Sequence, residues 1–223
     1  MANFTESTFV KHEPCPECGS SDALSRYSDN HAVCFSCNHY IHGDGSVVNP
    51  NQTRARPLEM TGTISAIQDR RISMDTAKRF GVTVEHDASG SITKHHYPYY
   101  SQEGDKVVGT KVRGVADKTF YATGDMQSAG LFGQQTFAAG GKYITITEGE
   151  IDAMAAFEMN GGFPAVSIRS GANSAVKDIK ASLEYLETFD NVVICFDNDE
   201  AGRKAAQEVL PLFSPRKAKG ASL

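Results

Sequence analysis

A chain of 223 residues has room for one full domain and a small module beside it. Its 40% hydrophobic content suits a globular chain, and no stretch approaches the length of a membrane span. The formal net charge of −5 argues against sequence-independent wrapping of nucleic acid, which needs broad basic surface, while leaving room for local basic strips beside carboxylates that hold cations.

The N-terminal region carries Cys15, Cys18, Cys34 and Cys37 in the spacing C-x2-C-x15-C-x2-C. Each x2 pair forms a tight knuckle with both sulfurs on one side of a metal, and the excursion between the pairs is long enough for a short hairpin. A structural tetrathiolate Zn2+ site is the expectation. Disulfides are the alternative, but Met1 to Pro14 lacks the apolar core of a secretory signal, so reduced thiols and a cytoplasmic location are expected. A segment this small cannot bury enough apolar surface to be stable without the metal. Between the knuckles, Arg26, Tyr27, Ser28, Asp29, Asn30 and His31 form a polar, partly aromatic stretch. Asp29 can accept from the amino group of cytosine, and His31 and Tyr27 can stack on unpaired bases; they also suit a solvated turn.

Residues 44–61, rich in Gly, Pro, Asn and polar side chains, read as a linker. From Ile64 to Phe80 the pattern predicts two short helices, with Ser73 as N-cap and Gly81 as C-cap. Ile92 to Thr123 alternates apolar and polar residues around turns such as Glu103-Gly104-Asp105 and reads as β-rich.

From Lys142 the chain alternates strand and helix. Tyr143–Thr147, Ala165–Ile168 and Asn191–Phe196 are predicted strands; Ile151–Met159, Ala175–Thr188 and Ala201–Leu210 are predicted helices. This alternation predicts a mostly parallel sheet with crossover helices, and Cys195 reads as a buried strand residue. Ligands of such sheets bind outside the carboxyl ends of the strands, where Glu148, Asp197 and Asp199 fall. Three carboxylates converging there repel one another unless cations bind between them, and Mg2+ is the natural occupant. For Asp199 alone, an N-cap of the following helix is the competing reading.

Glu148-Gly149-Glu150-Ile151-Asp152, followed about fifty residues on by Asp197-Asn198-Asp199-Glu200-Ala201-Gly202, closely resembles the Toprim fold of primases, topoisomerases and some nucleases. Together with the four-cysteine module enclosing Tyr27-Ser28-Asp29-Asn30-His31, the Lys111-Val112-Arg113 and Lys118-Thr119-Phe120 segments, Leu131-Phe132-Gly133 and the run from Asp197 to Ala205, the chain resembles the primase half of bacteriophage primase-helicase proteins over residues 12–210. The resemblance implies an α/β fold: a zinc-ribbon β module at 1–43, the linker, and a Toprim-type RNA polymerase domain whose N-terminal part spans 62–140 and whose Toprim subdomain spans 141–223.

It further implies a DNA primase that makes short RNA primers from ribonucleoside triphosphates on single-stranded DNA during phage replication, in the cytoplasm of an infected bacterial host. Glu148, Asp197 and Asp199 are then the catalytic Mg2+ ligands. Lys111, Arg113 and Lys118 bind the nucleotide, with Lys111 and Lys118 stabilising the transferring phosphate. Asp29 and His31 read the template, and the zinc module would hold it in register. A separate replicative helicase and a DNA polymerase are implied partners. The family carries a further lysine where Tyr121 stands here.

The family's Toprim sheet continues into another strand and an acidic Lys-Asp-Ala-Asn type motif, which this sequence does not contain, and no G-x4-G-K-[ST] pattern occurs. A C-terminally shortened Toprim subdomain with an open sheet edge and weak activity is therefore expected. Two other classes remain open: a template-binding or helicase-partner fragment without catalysis, and a Toprim metal-dependent nuclease.

Overall fold

The computed structural model describes residues 7–43, 47–48 and 56–221, in two compact units spanning Met1–Ala55 and Arg56–Leu223. Most of the expected linker, including all of 49–55, lies outside the described residues.

The first unit is an antiparallel sheet in the order β1-β2-β3-β4-β5: β1 (Phe9–Glu13), β2 (Leu24–Tyr27), β3 (Ala32–Cys34), β4 (Tyr40–Ile41) and β5 (Val47–Val48). The pairing of Val47–Val48 with β4 extends the sheet into the segment read as linker. The two cysteine knuckles are built alike. Gly19 N–H donates to Cys15 O at 3.0 Å and Asn38 N–H to Cys34 O at 2.8 Å. Both donors are left-handed, at φ 69° and 60°, which Gly adopts freely and Asn tolerates best among the rest. The buried core of this unit is only Cys15, Leu24, Ala32 and Cys34, far too little to hold a fold unaided.

In the second unit, α1 (Met74–Phe80) begins and ends as the sequence predicts. Ser73 Oγ accepts from Thr76 N at 3.2 Å, and Gly81 closes the helix at φ 75°. The other expected helix is instead a single 3-10 turn, Gln68–Arg70, closed by left-handed Arg71. Ile67 and Ile72 bridge across it and are both buried, so a tight loop satisfies two apolar side chains that a longer helix would separate.

An antiparallel sheet follows in the order β6-β7-β8-β9, formed by β6 (Thr83–His86), β7 (Ile92–Tyr100), β8 (Val107–Gly114) and β9 (Phe120–Gly124). Along β7, His95, Tyr97 and Tyr99 alternate onto the core face, where Tyr97 and Tyr99 meet Phe132.

The second sheet is parallel, in the order β11-β10-β12-β13, formed by β10 (Gly141–Thr147), β11 (Ala165–Ser167), β12 (Phe189–Cys195) and β13 (Ala218–Gly220), with α2 (Glu150–Met159) and α5 (Glu200–Val209) following β10 and β12. The helix expected over Ala175–Thr188 divides into α3 (Ala175–Ala181) and α4 (Leu183–Leu186) at Ser182, which is buried and donates to Gln102 Oε1 at 3.2 Å. Cys195, read as buried, is half-buried at the last position of β12.

The open edge expected beside β12 is instead paired. β13 runs parallel to it, with Val192 opposite Ala218 and Ile194 opposite Gly220, and Ala221 N–H donates to Ile194 O at 2.8 Å. The Lys-rich tail carries no apolar alternation and so gives no strand signal; backbone pairing with β12, the Lys217–Glu187 ion pair at 3.2 Å and the packing of Ala218 on the core hold it in place. Among the described residues no helix is long and apolar enough to cross a membrane.

Candidate functional site

The four cysteines are the one set of three or more His, Cys, Asp or Glu side chains among the described residues gathered closely enough to hold an ion, their sulfurs all within 4.8 Å of one another. Cys15 lies 3.7 Å from Cys37, and Cys18 3.7 Å from Cys34. A tetrahedral ion with Zn–S bonds of about 2.3 Å separates its sulfurs by about 3.8 Å, so the cage fits zinc. Crowding splits the thiols. Burial pushes Cys15 up, but N–H groups of Cys18 and Glu17 outweigh it and pull it down to about 7. Burial and then the neighbouring sulfurs push Cys37 up to about 12. A divalent cation at the centre would be bound by the four sulfurs as thiolates.

At the tip of the β2–β3 hairpin, Asp29 and His31 are locked together. Asp29 Oδ1 accepts from Ser7 Oγ at 2.9 Å, from His31 N at 3.2 Å, and lies 2.5 Å from His31 Nδ1. Loss of water pushes the Asp29 carboxyl up, but the bonds from Ser7 and His31 prevail and hold it below the ordinary range. The His31 ring stacks on Tyr27 at 4.3 Å and 6°, and lies 5.6 Å from Tyr40. This is a half-exposed acceptor on an aromatic platform, a geometry that can accept from a base edge and stack under its ring.

In the second unit, Glu148 follows β10 and Asp197 follows β12, at adjacent strand ends. Glu148 Oε1 accepts from Asp197 N at 3.0 Å. Asp199 turns back to cap α5, its Oδ1 accepting from Gly202 N at 2.7 Å. The expected three-way convergence is therefore looser than at the cysteines: Glu148 and Asp197 meet, while one oxygen of Asp199 is committed to its helix. Desolvation raises the Glu148 carboxyl, and the charges of Asp197 and Asp199 add to it. Hard oxygen donors under mutual repulsion at two strand ends suit Mg2+. Gly202 makes the arrangement possible, since a Cβ there would lie 2.2 Å from Asp197 O and 2.6 Å from Glu148 Oε1.

Lys111 and Arg113 alternate onto one face of β8, each beside the Phe120 ring, at 5.9 and 5.8 Å. Lys118 is exposed in the β8–β9 turn at φ 55°. Lys111 Nζ is held 2.6 Å from Glu150 Oε1, which also accepts from Tyr99 Oη at 2.6 Å.

Sequence reasoning missed three members of this neighbourhood. Glu150 is buried beneath Lys111, and Tyr99, kept protonated first by burial and then by the Glu150 charge, completes the pair. Asp152 reaches the surface, yet its carboxyl folds back over the start of α2, where a Cβ on Gly149 would lie 2.4 Å from Oδ2. Desolvation and then Asp197 raise it. Glu150 and Asp152 stand within the acidic motif, and their spacing was the available signal; Tyr99 depends on the β7–β8 register and gave none.

The family model described as Toprim-like matches residues 145–222. The chain is 34% identical over 237 aligned residues to a DNA helicase/primase of Enterobacteria phage T3, covering 100% of this chain and 41% of the relative; it thus spans about two fifths of that protein's length. The crystal structure of the primase fragment of the bacteriophage T7 primase-helicase matches at 34% identity and TM-score 0.69, over 97% of this chain and 91% of the fragment. Primase domains of the T7 protein, from a complex with lagging-strand DNA polymerase, an RNA/DNA hybrid and dTTP, match at 36% identity and TM-score 0.63, over 73% of this chain and 81% of theirs.

Proposed function

Because the chain belongs to the family of bacteriophage primase-helicase proteins and spans its primase portion, we propose that it is a DNA primase, joining ribonucleoside triphosphates into short RNA primers on single-stranded DNA. The observation that carries this reading is the facing of two unlike charge sets within one unit: carboxylates Glu148 and Asp197 at adjacent strand ends, and cations Lys111 and Arg113 on one face of β8, linked through Glu150. A nucleotidyl transfer needs both, one to hold cations and one to meet phosphate charge.

In this reading Glu148, Asp197 and the outer oxygen of Asp199 would hold Mg2+, which supplies Lewis-acid charge to the attacking hydroxyl and the departing pyrophosphate. Lys111, pinned by Glu150 and Tyr99, presents its remaining protons toward the phosphates at a fixed position, and Arg113 and Lys118 add charge along the same segment. Buried Glu150 and Tyr99 orient rather than react. In the zinc module, 1–43, Asp29 accepts from a template base while His31 and Tyr27 support it, and Cys15, Cys18, Cys34 and Cys37 keep the hairpin folded around Zn2+. Residues 62–140 and 141–223 together form the polymerase domain. A DNA polymerase and a replicative helicase are the proposed partners, and the cytoplasm of an infected bacterial cell the proposed location.

The test is primer synthesis by zinc-loaded protein on a pool of single-stranded templates with labelled ribonucleotides and Mg2+, beside Glu148→Gln. Short RNA products that vanish in the variant support the reading. Template binding without product, or Mg2+-dependent cutting of DNA in the absence of nucleotides, overturns it.

A further inference from the structure

His95 is fully buried on the core face of β7, and both of its ring nitrogens are engaged. Nε2 lies 3.1 Å from Asp69 Oδ1, and Nδ1 lies 3.0 Å from Tyr97 Oη. A carboxylate only accepts, so Nε2 carries the proton and Nδ1 accepts from the Tyr97 hydroxyl. Burial lowers the proton affinity of the ring; Asp69 pulls against it, Arg113 and Arg70 push with it, and the lowering prevails. One neutral tautomer therefore satisfies the whole chain Asp69–His95–Tyr97.

Asp69 belongs to the 3-10 turn Gln68–Arg70, which Arg71 closes at φ 57°, a left-handed conformation that arginine adopts only at a cost. The bond from His95 to Asp69 is the one side-chain hydrogen bond of that turn among the described residues. It ties the turn to a particular place on the sheet. In the β7–β8 register His95 stands opposite Arg113, and Tyr97 stands opposite Lys111. Directly opposed residues share a face, so the turn is fastened at the end of the sheet where the cationic strip lies.

Arg70, the next residue of the turn, is exposed and pairs with no carboxylate among the described residues. Its charge reaches the same groups as that of Arg113. Burial, then the Glu150 charge, raises the Tyr97 hydroxyl, and Arg113 and Arg70 both oppose the rise. Arg70 also opposes the rise that desolvation and Asp197 impose on Asp152. The turn thus carries an unpaired guanidinium between the Arg113 end of the strip and the carboxylates that open α2.

We propose that Asp69 and His95 are positioning residues: their hydrogen bond pins the 68–70 turn to β7 and holds the Arg70 guanidinium beside the strip, extending its phosphate-binding surface toward Asp152. The inference rests on the reading of Lys111 and Arg113 as phosphate-binding groups. A three-residue 3-10 turn has little rigidity of its own, so a guanidinium carried on it keeps its place only while the turn is fastened.

The experiment is a calorimetric titration of the full zinc-loaded chain with inorganic tripolyphosphate, without template or nucleotides. Electrostatics alone and positioning predict different outcomes at Asp69. Removing a negative charge favours a polyanion equally in Asp69→Asn and Asp69→Ala. Under the proposal Asp69→Asn keeps an oxygen that accepts from Nε2 and binds at least as tightly as the parent, whereas Asp69→Ala frees the turn and binds about tenfold more weakly than Asp69→Asn, the size of one lost charge-assisted contact. Arg70→Ala weakens binding fully in the Asp69→Asn background and by less than half as much, in free energy, in the Asp69→Ala background, where the guanidinium is already displaced. Asp69→Glu, at a part-exposed position where folding is not at stake, keeps the charge but shifts the turn, and weakens binding several-fold. Equal affinity of Asp69→Ala and Asp69→Asn, an undiminished Arg70→Ala loss in Asp69→Ala, or parental affinity in Asp69→Glu overturns the proposal. No binding by the parent overturns it together with the phosphate reading of Lys111 and Arg113. Because synthesis is not measured, failure of the primase reading alone leaves each of these outcomes unchanged.

Discussion

Replacing Gly202 with alanine sets two effects of opposite sign against each other. Gly202 is buried in the first turn of α5 with helical backbone, so a methyl group adds no backbone strain and helix propensity alone favours alanine by about 1 kcal/mol. The added Cβ, however, would lie 2.2 Å from Asp197 O and 2.6 Å from Glu148 Oε1, the first a backbone atom that cannot swing aside. Overpacking of this kind costs about 1–3 kcal/mol. Relief requires α5 to back away, which stretches the 2.7 Å bond from Gly202 N to the Asp199 cap, and losing a cap costs about 0.5–2 kcal/mol. The balance is a loss of about 2 kcal/mol, or about 4–8 °C in the melting of a unit this size. Urea unfolding read by circular dichroism measures it. Glu148→Ala in the same background removes only the softer contact and restores less than half of the loss. A Gly202→Ala protein as stable as the parent, or more so, would show that propensity governs the position and would refute the packing argument. Primer synthesis falls with stability, because the same shift moves Asp197 away from Glu148.

The raised Glu148 carboxyl gives a pH signature. The unfolded chain ionises first, so stability is fully retained below the ordinary carboxylate range and falls as pH rises from there through the raised folded value; Glu148→Gln therefore stabilises the Mg2+-free protein at neutral pH and leaves it unchanged near pH 3, as thermal melts at both pH values will test. Tyr99→Phe removes a buried hydroxyl bonded to a charged acceptor and should cost about 1.5–3 kcal/mol, with Lys111 losing its fixed position; a loss below about 0.5 kcal/mol in chemical unfolding counts against the pinning role. Chelation of zinc should unfold residues 7–43 while the cooperative melting of the second unit persists, seen as selective collapse of amide dispersion for the first unit. Asp29→Asn exchanges an acceptor-only group for a mixed one and should lower yield on the preferred template at least tenfold, with untemplated dinucleotide formation unchanged.

Much of this was legible because the governing interactions are local. The cysteine knuckles, the Ser73 and Gly81 caps and the βα alternation each follow from residues within a few positions of one another, and the strand-end placement of Glu148 and Asp197 follows from that alternation. What escaped depends on partners far along the chain. The turn at Gln68–Arg70 forms because Ile67 and Ile72 are buried by other elements. The break at Ser182 needs Gln102. Lys111 reads as a free cation until the β7–β8 register places Tyr99 nearby and α2 carries Glu150 beneath it. The pairing of Ala218–Gly220 has no side-chain pattern at all. Asp199 was legible twice over, as an N-cap and as a carboxylate of the acidic motif, and the structure commits one oxygen to the cap.

The 2.6 Å pair between Lys111 and Glu150 acts as a gauge block between the two sheets. Glu150 opens α2 two residues beyond Glu148, whereas Lys111 belongs to the antiparallel sheet, so one ion pair fixes how far the Lys111 ammonium stands from the carboxylates at the parallel strand ends. Shortening the block by one methylene, as in Glu150→Asp, retains every charge while changing the spacing. A site with all its groups present and the wrong span between them separates chemistry from dimensions.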